Sequence, residues 1–134
     1  MAALVVSGTK TSQRTASARA ASATAMPTLH RAREAGRPVD VEVGGIAADA
    51  LGARRIGAIA WSVASRHVAA AHLLSDDAIR AAQRALWTEL RLAVEPAAAL
   101  PLAALATGAV RPEAHERVLL VVCGANVDLG TLAG

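Results

Sequence analysis

An unbroken run of apolar residues near the carboxyl end constrains the fold of this chain most. The segment RVLLVVC, residues 117–123, carries five consecutive apolar residues, Val118 to Val122, and ends at Cys123. Such a run predicts a β-strand, and the lack of polar alternation is typical of a strand that is covered on both faces. Sheets covered in this way occur in α/β proteins, so we expect helices on both sides of it.

The segments before this run supply helices and a second strand. SDDAIRAAQRALWTELRLAV, residues 75–94, predicts a helix that Ser75 caps, with two aspartates where the helix dipole favours acids. Pro96 ends this helix, and AAALPLAALATG predicts a second, buried helix because it is almost entirely small and apolar. RHVAAAHLL, just upstream, predicts a strand. The order strand–helix–helix–strand predicts an α/β domain with an at least partly parallel sheet.

Two further helices are predicted upstream of that strand. PTLHRAREAG places Pro27 at the first helical position and Gly36 as a stop signal. LGARRIGAIAWSVAS has apolar residues near helical spacing from Leu51 to Val63. Between them, RPVDVEVGG is a turn followed by a short alternating stretch of valines.

The composition limits the classes of protein that this chain can join. Apolar residues make up 54% of the 134 residues, which argues against disorder, but there is no Phe or Tyr and the expected core is thin. A single cysteine excludes an internal disulfide framework, and the four scattered histidines give no metal-ligand spacing. No apolar run approaches the roughly 20 residues of a membrane span. We therefore expect a soluble, cytoplasmic protein with no membrane partner.

The first 26 residues differ from the rest of the chain. SGTKTSQRTASARAASATA contains no acid and no clear apolar period, so we divide the chain into an atypical arm, 1–26, and a domain, 27–134. Disorder and a shifted reading frame are the favoured explanations for the arm, ahead of a transit peptide. Residues 1–38 hold six basic side chains against one acid, whereas the remainder holds two more acids than bases. A basic arm on a slightly acidic body speaks against a nucleic-acid partner and leaves it the weakest option.

Two residues are candidates for chemistry, and each has a structural alternative. Cys123 ends the predicted strand at the edge of the sheet where ligands collect in open α/β sheets, but taken alone it is better explained as a small buried hydrophobe. Glu95 stands between apolar residues before Pro96. Two interpretations are equally good: an exposed carboxylate at a helix joint, or a functional carboxylate. Asn126 and Asp128 can be ordinary turn formers.

Motifs in register resemble the pyridoxal-phosphate-dependent threonine and serine dehydratases. LSDDAIRAAQRALWTELRLAVEPAAALPLAAL followed by RVLLVVCGANVDL is similar to the carboxyl-terminal part of these lyases, which have an EPAGA helix joint and a strand ending in SGGN or CGGN before VD. Upstream, VGGIAADALGARRIG resembles their TIADGIAVKRPG stretch, so the similarity covers residues 27–132. The resemblance implies an α/β fold: a partial three-layer sandwich with a mostly parallel sheet of the tryptophan synthase β-like type.

The resemblance also implies a cofactor, a substrate class and a set of site residues. The cofactor would be pyridoxal phosphate and the substrate an amino acid. The family's Ser or Cys at the position of Cys123 hydrogen-bonds the pyridine nitrogen of the cofactor. Gly124 and Asn126 would shape the turn beneath the ring, and Glu95 matches the family's Glu close to the pocket. Ser22 stands near the family's cation-binding acid, so no metal ligand is expected.

The chain also departs from the family pattern. Ala98 and Ala125 replace glycines of the two motifs. The family needs a lysine that binds the cofactor, but Lys10 is the only lysine and lies in the segment that resembles the family least. It also needs a glycine-rich loop for the phosphate, and no run of four glycines exists.

These departures lead to an expectation about activity. We expect a truncated dehydratase that is inactive alone, whose parent reaction removes water from L-serine or L-threonine to give a 2-oxo acid and ammonia. The alternative is a non-catalytic or regulatory module that associates with a full-length dehydratase subunit. Self-association into a homo-oligomer is a further expectation, because apolar surface would be exposed where the missing part packs.

Overall fold

The described part of the chain folds into a sheet with helices on both faces. A computed structural model describes residues 2–7 and 17–132, with side chains from residue 18 onwards. Its elements are, in chain order, β1 (Ala2–Ser7), β2 (Ser17–Ala23), α1 (Thr28–Ala35), α2 (Ala48–Leu51), α3 (Ala58–His67), β3 (Val68–Leu74), α4 (Asp76–Leu90), α5 (Pro96–Ala106), β4 (Arg117–Leu120) and a 3-10 helix (Leu129–Thr131). The predicted α/β class is confirmed.

The four strands form one sheet in the order β3-β2-β1-β4. β2 and β3 are parallel, with Ala20 opposite Ala71, whereas β1 is antiparallel to both of its neighbours. β2, β3 and β4 therefore run in one direction and only β1 runs in the other. The strand directions agree with the expected mostly parallel sheet, but the two pairings of β1 are antiparallel and only that of β2 with β3 is parallel.

Residues 17–26 belong to the sheet and the core, although their composition suggested a separate arm. β2 lies between β3 and β1, and Ala20, Ala21, Ala23 and Met26 are at most 2% exposed. Small side chains allow a central strand to pack closely against helices on both faces, so the Ala-rich sequence marks a buried strand here. β1 also pairs within the sheet, while residues 1 and 8–16 of the predicted arm lie outside the described residues.

The larger helical layer consists of α5, which packs on β1, β2 and β3, and α4, which packs on α5. The Ser75 side chain accepts a hydrogen bond from the Ala78 backbone N–H at 3.2 Å, which confirms the predicted cap. α4 ends at Leu90, earlier than predicted, because Arg91 adopts a left-handed backbone conformation. Pro96 consequently begins α5 rather than ending α4, at a position where its missing N–H costs no helical hydrogen bond. No helix in the described ranges is long and apolar enough to span a bilayer.

The second helical layer covers only part of the other face. α1 and α3 pack on β2 and β3 around Ala20, Leu29 and Ala64. Gly36 ends α1 in the left-handed conformation, as its position predicted. The apolar period from Leu51 onwards is divided between α2 and α3, and the valine-rich stretch at residues 39–43 is irregular.

β4 is an edge strand that is covered on one face only, so the prediction of two covered faces is wrong. Val118 and Leu120 pack against the core that α5 closes, whereas Leu119, on the opposite face, is 61% exposed. Val121 and Val122 are also exposed and lie beyond the strand. The apolar run has no polar alternation, yet coverage depends on neighbouring elements, and α1 and α3 pack on the other half of the sheet.

Candidate functional site

The structure brings three of the four predicted site residues together. Glu95 is the residue before α5, and Gly124 and Asn126 lie in the loop after β4. The backbone N–H of Glu95 donates a hydrogen bond to the carbonyl oxygen of Gly124 at 3.0 Å. The helix joint and the loop, far apart in sequence, therefore meet at the carboxyl end of β4.

Gly124 is confined by its own backbone and by Glu95. Its φ is +91°, a value that residues with a side chain rarely adopt. A methyl group built on its Cα would overlap the Glu95 carboxyl group and would lie 2.8 Å from the Glu95 Cγ. The Glu95 side chain thus occupies the space beside the Gly124 Cα, and a side chain at position 124 would displace it.

Cys123 reaches the predicted edge of the sheet but is not buried. It is a free, exposed cysteine within the exposed stretch of residues 121–126. The alternative of a small buried hydrophobe is therefore wrong, since solvent reaches the residue. The thiol is accessible to a ligand, next to a glycine whose position is fixed by Glu95.

Asn126 and Glu95 line one small cavity. The cavity has a volume of about 90 Å³ and is closed on its other side by Asp49 and neighbouring residues of α2. Its volume suits water or a small polar group rather than a whole aromatic cofactor. Asn126 is exposed, so its amide can reach a group outside the cavity.

Gln83 supports the joint before Glu95 and was not singled out from the sequence. It lies on α4, is only 6% exposed, and its Nε2–H donates to the carbonyl oxygen of Val94 at 2.9 Å. A buried amide that satisfies a buried carbonyl fixes the backbone there. Its position among the apolar residues Ile79, Ala82 and Leu86 was the available signal, because a polar residue on a buried stripe needs a partner.

The histidines lie apart from this group. His30 Nδ1 is 2.9 Å from the carbonyl oxygen of Ala71, in the contact between α1 and β3. Burial, with the positive charges of Arg19 and His30, lowers the pKa of His72 below its usual 6.5. Within residues 18–132, no three potential ligands are grouped so that they could hold a metal ion.

The fold defines a class of α/β proteins that includes several solved structures. Serine racemase from maize has a TM-score of 0.69 and 29% sequence identity, over 86% of this chain and 38% of that chain. A threonine deaminase from T.th. has a TM-score of 0.63 and 32% identity, over 69% of this chain and 34% of that one. The L-serine ammonia-lyase of Rhizomucor miehei has a TM-score of 0.73 at 20% identity, a likeness of fold alone. The tryptophan synthase β-like architecture is confirmed.

The sequence comparisons identify the family. The family model described as pyridoxal-phosphate dependent enzyme matches residues 2–124, and the chain belongs to this family. The phenylserine dehydratase of Ralstonia pickettii is 38% identical over 105 residues, which are 78% of this chain and 32% of that protein. A biosynthetic L-threonine dehydratase of Pasteurella multocida is 32% identical over 105 residues, 20% of its length. The resemblance to threonine and serine dehydratases is confirmed, and the chain spans a third or less of the length of these relatives.

The described residues do not provide for every part of the family's cofactor. Cys123 is accessible and Gly124 is confined by Glu95, but residues 2–7 and 17–132 contain no lysine. The glycine pair at Gly44 and Gly45 is no phosphate cradle, because a Cβ on Gly45 would lie 3.0 Å from both Asp76 carboxylate oxygens. A phosphate there would meet like charge. Lys10 lies outside the described residues.

Proposed function

We propose that this chain forms the pyridine-facing wall of a threonine/serine dehydratase-type site. The observation that carries the proposal is the contact of Glu95 with Gly124, which joins the two family motifs at the carboxyl end of β4. Ligands collect at this edge in open α/β sheets. Cys123 would supply a neutral hydrogen-bonding group to the ring nitrogen, and Glu95, Gly124 and Asn126 would shape the adjoining surface. Bound pyridoxal phosphate would supply the electron sink for loss of water from L-serine or L-threonine.

A chimera tests the assignment of this wall. The 105 residues that match the phenylserine dehydratase of Ralstonia pickettii would replace their counterparts in that enzyme, and 2-oxo acid release would be measured. We expect Cys123→Ser in the chimera to keep most of the activity, because the hydroxyl also hydrogen-bonds. Cys123→Ala should lower kcat by about tenfold or more, as loss of one hydrogen bond to a reacting group does. Equal activities of the Ser and Ala variants would reject the role of Cys123.

We propose further that the chain alone does not catalyse the reaction. Its only lysine lies in the segment least like the family motifs, and Asp76 stands where a phosphate would approach the glycine pair. The purified chain would be mixed with pyridoxal phosphate and L-serine or L-threonine, and ammonia and 2-oxo acid would be measured. We expect neither product above the level of cofactor in buffer. Product formation that is lost in Lys10→Arg would overturn this proposal and identify Lys10 as the amine.

A second candidate function is a module that associates with a dehydratase subunit, and the uncovered sheet face favours it. Leu119 on β4, and Val121 just beyond the strand, expose apolar surface at the half of the sheet that α1 and α3 do not cover. Such a patch is typical of an interaction site. Co-expression with a tagged threonine dehydratase tests this, with Leu119→Arg as the disrupting variant. Leu90→Arg is the matched control, since Leu90 is 63% exposed and lies on α4 in the opposite layer.

The outcomes distinguish association with a dehydratase from self-association of this chain. Co-purification that Leu119→Arg abolishes and Leu90→Arg preserves would support the module. Sedimentation of the chain alone as a dimer, with the same dependence on Leu119, would indicate a homo-oligomer instead. A monomer that captures no dehydratase would reject both. We also propose a cytoplasmic location, because a single exposed free thiol suits a reducing compartment.

A further inference from the structure

A polar cavity lies between one face of α4 and the loop that leads into the 3-10 helix. Its volume is about 340 Å³, near the lower end of the range for small-molecule sites. Its apolar lining comes from Ile46, Pro96 and Val127. Its polar lining consists of Arg80, Gln83, Arg84, Asn126, Asp128 and Thr131.

Two arginines line the α4 side of the cavity. Arg80, Gln83 and Arg84 are spaced three and four residues apart, so they share one face of the helix. Arg80 lies 3.7 Å from Asp77, whose side chain is 96% exposed, and such a pair is weak. No ion pair among residues 18–132 involves Arg84. The buried Gln83 amide fixes the helix at this point through its bond to Val94.

The loop side of the cavity presents one carboxylate in a fixed position. Asp128 Oδ1 accepts a hydrogen bond from the Gly130 N–H at 2.9 Å. The Thr131 hydroxyl donates to the Asp128 carbonyl oxygen at 2.7 Å, which holds the same turn. No described arginine lies within 4.0 Å of the Asp128 carboxylate. Residues of opposite charge thus line one cavity without pairing with each other, and all three are exposed to solvent.

We propose that this cavity binds a free α-amino acid. The carboxylate of the ligand would pair with Arg84 and Arg80, since guanidinium groups bind carboxylates through charge-assisted hydrogen bonds. Its ammonium group would pair with Asp128, and its side chain would lie against Pro96 and Val127. A zwitterion is the ligand class that is attracted by both signs of charge at once, whereas a simple anion would be repelled by the Asp128 carboxylate beside it.

The proposed amino-acid site adjoins Glu95, Gly124 and Asn126, which together are called the Glu95 group, without depending on them. Asn126 and Pro96 line both cavities, so a ligand in the larger one would contact the same loop. Binding requires no pyridoxal phosphate. The inference therefore goes beyond the proposed function, and a test without cofactor leaves that function undecided whatever the result.

Titration of the full, isotope-labelled chain by NMR tests the site, with the Gln83 and Asn126 side-chain amides as reporters. The probes are L-threonine, propionate, propylamine and inorganic phosphate, all without cofactor. We expect L-threonine to bind more tightly than each of the other three. Arg84→Gln should weaken L-threonine binding by about tenfold or more, because a charged hydrogen bond is lost. Arg66→Gln is the matched control, since Arg66 lies on α3 and bonds within its own helix.

Asp128→Asn separates the zwitterion from a simple anion. The amide keeps an oxygen for the Gly130 N–H but loses the charge, so L-threonine should bind more weakly while propionate, freed of a like charge, binds at least as tightly as before. Phosphate or propionate binding as tightly as L-threonine, with no effect of Asp128→Asn, would identify a plain anion site and overturn the proposal. Absence of any shift with L-threonine at tens of millimolar, or equal affinities of Arg84→Gln and the unmodified chain, would overturn it as well.

Discussion

Replacing Gly124 by alanine should destabilise the chain through two separable effects. The first is backbone strain, because a φ of +91° costs an L-residue about 1–2 kcal/mol. The second is the overlap of the new methyl group with the Glu95 side chain, which has to leave its position. Moving a flexible side chain into a less favourable rotamer costs about 0.5–1.5 kcal/mol. We therefore expect Gly124→Ala to lower the free energy of unfolding by about 2–3 kcal/mol in total.

Urea unfolding of four variants would separate these effects. Gly36→Ala measures the cost of backbone strain alone, since Gly36 has a φ of +65° and no atom lies within 4 Å of a Cβ built on it. Glu95→Ala should cost little, because the Glu95 side chain makes no capping hydrogen bond. In the Glu95→Ala background, Gly124→Ala should cost about as much as Gly36→Ala, leaving a coupling of about 1 kcal/mol. An identical cost of Gly124→Ala in both backgrounds would refute the packing of Glu95 on Gly124.

Three further changes test other parts of the structure. The lowered pKa of His72 means that the unfolded chain binds a proton first, so stability should fall as the pH drops below about 6.5. Urea unfolding between pH 7.5 and 5 should show this fall, and His72→Gln should flatten it, whereas the exposed His67→Gln should not. Ser75→Ala removes the cap of α4 and should cost about 1 kcal/mol in thermal unfolding. Gln83→Met keeps the shape but leaves the Val94 carbonyl unpaired, so it should cost about 1–3 kcal/mol; a neutral result in urea would contradict the role of Gln83.

The elements that could be predicted from the sequence are those with local signals at their ends. Ser75 and its following aspartates begin α4, and Gly36 ends α1, because each of these signals acts within one helical turn. β2 could not be predicted in this way, since its Ala-rich sequence has no apolar alternation and it becomes a strand through pairing with β1 and β3. The same reasoning applies to Leu119, whose exposure depends on where α1 and α3 pack.

The candidate site was predictable through its motifs rather than through its contacts. The resemblance to a family pointed to Glu95, Gly124, Asn126 and Cys123, and the structure brings the first three together. Residue spacing alone could not place Glu95 against Gly124, because that contact requires α5 and β4 to pack within one core. The role of Gln83 was not predicted because its partner is a backbone carbonyl, and a pattern of side chains does not reveal backbone partners.

The contacts that hold the Glu95 group all lie within this chain, and this bears on how its variants should be interpreted. Gln83 bonds to Val94, Glu95 bonds to Gly124, and neither contact requires a cofactor or a partner. Substitutions of Gln83 and Gly124 should therefore change the free energy of unfolding of the isolated chain as well as any activity of a chimera. Cys123 differs from these residues because it is exposed, so its replacement should leave stability nearly unchanged. A loss of activity in Cys123→Ala at unchanged stability would therefore report on the ring-binding role alone, whereas the same loss in Gly124→Ala would combine that role with the displacement of Glu95.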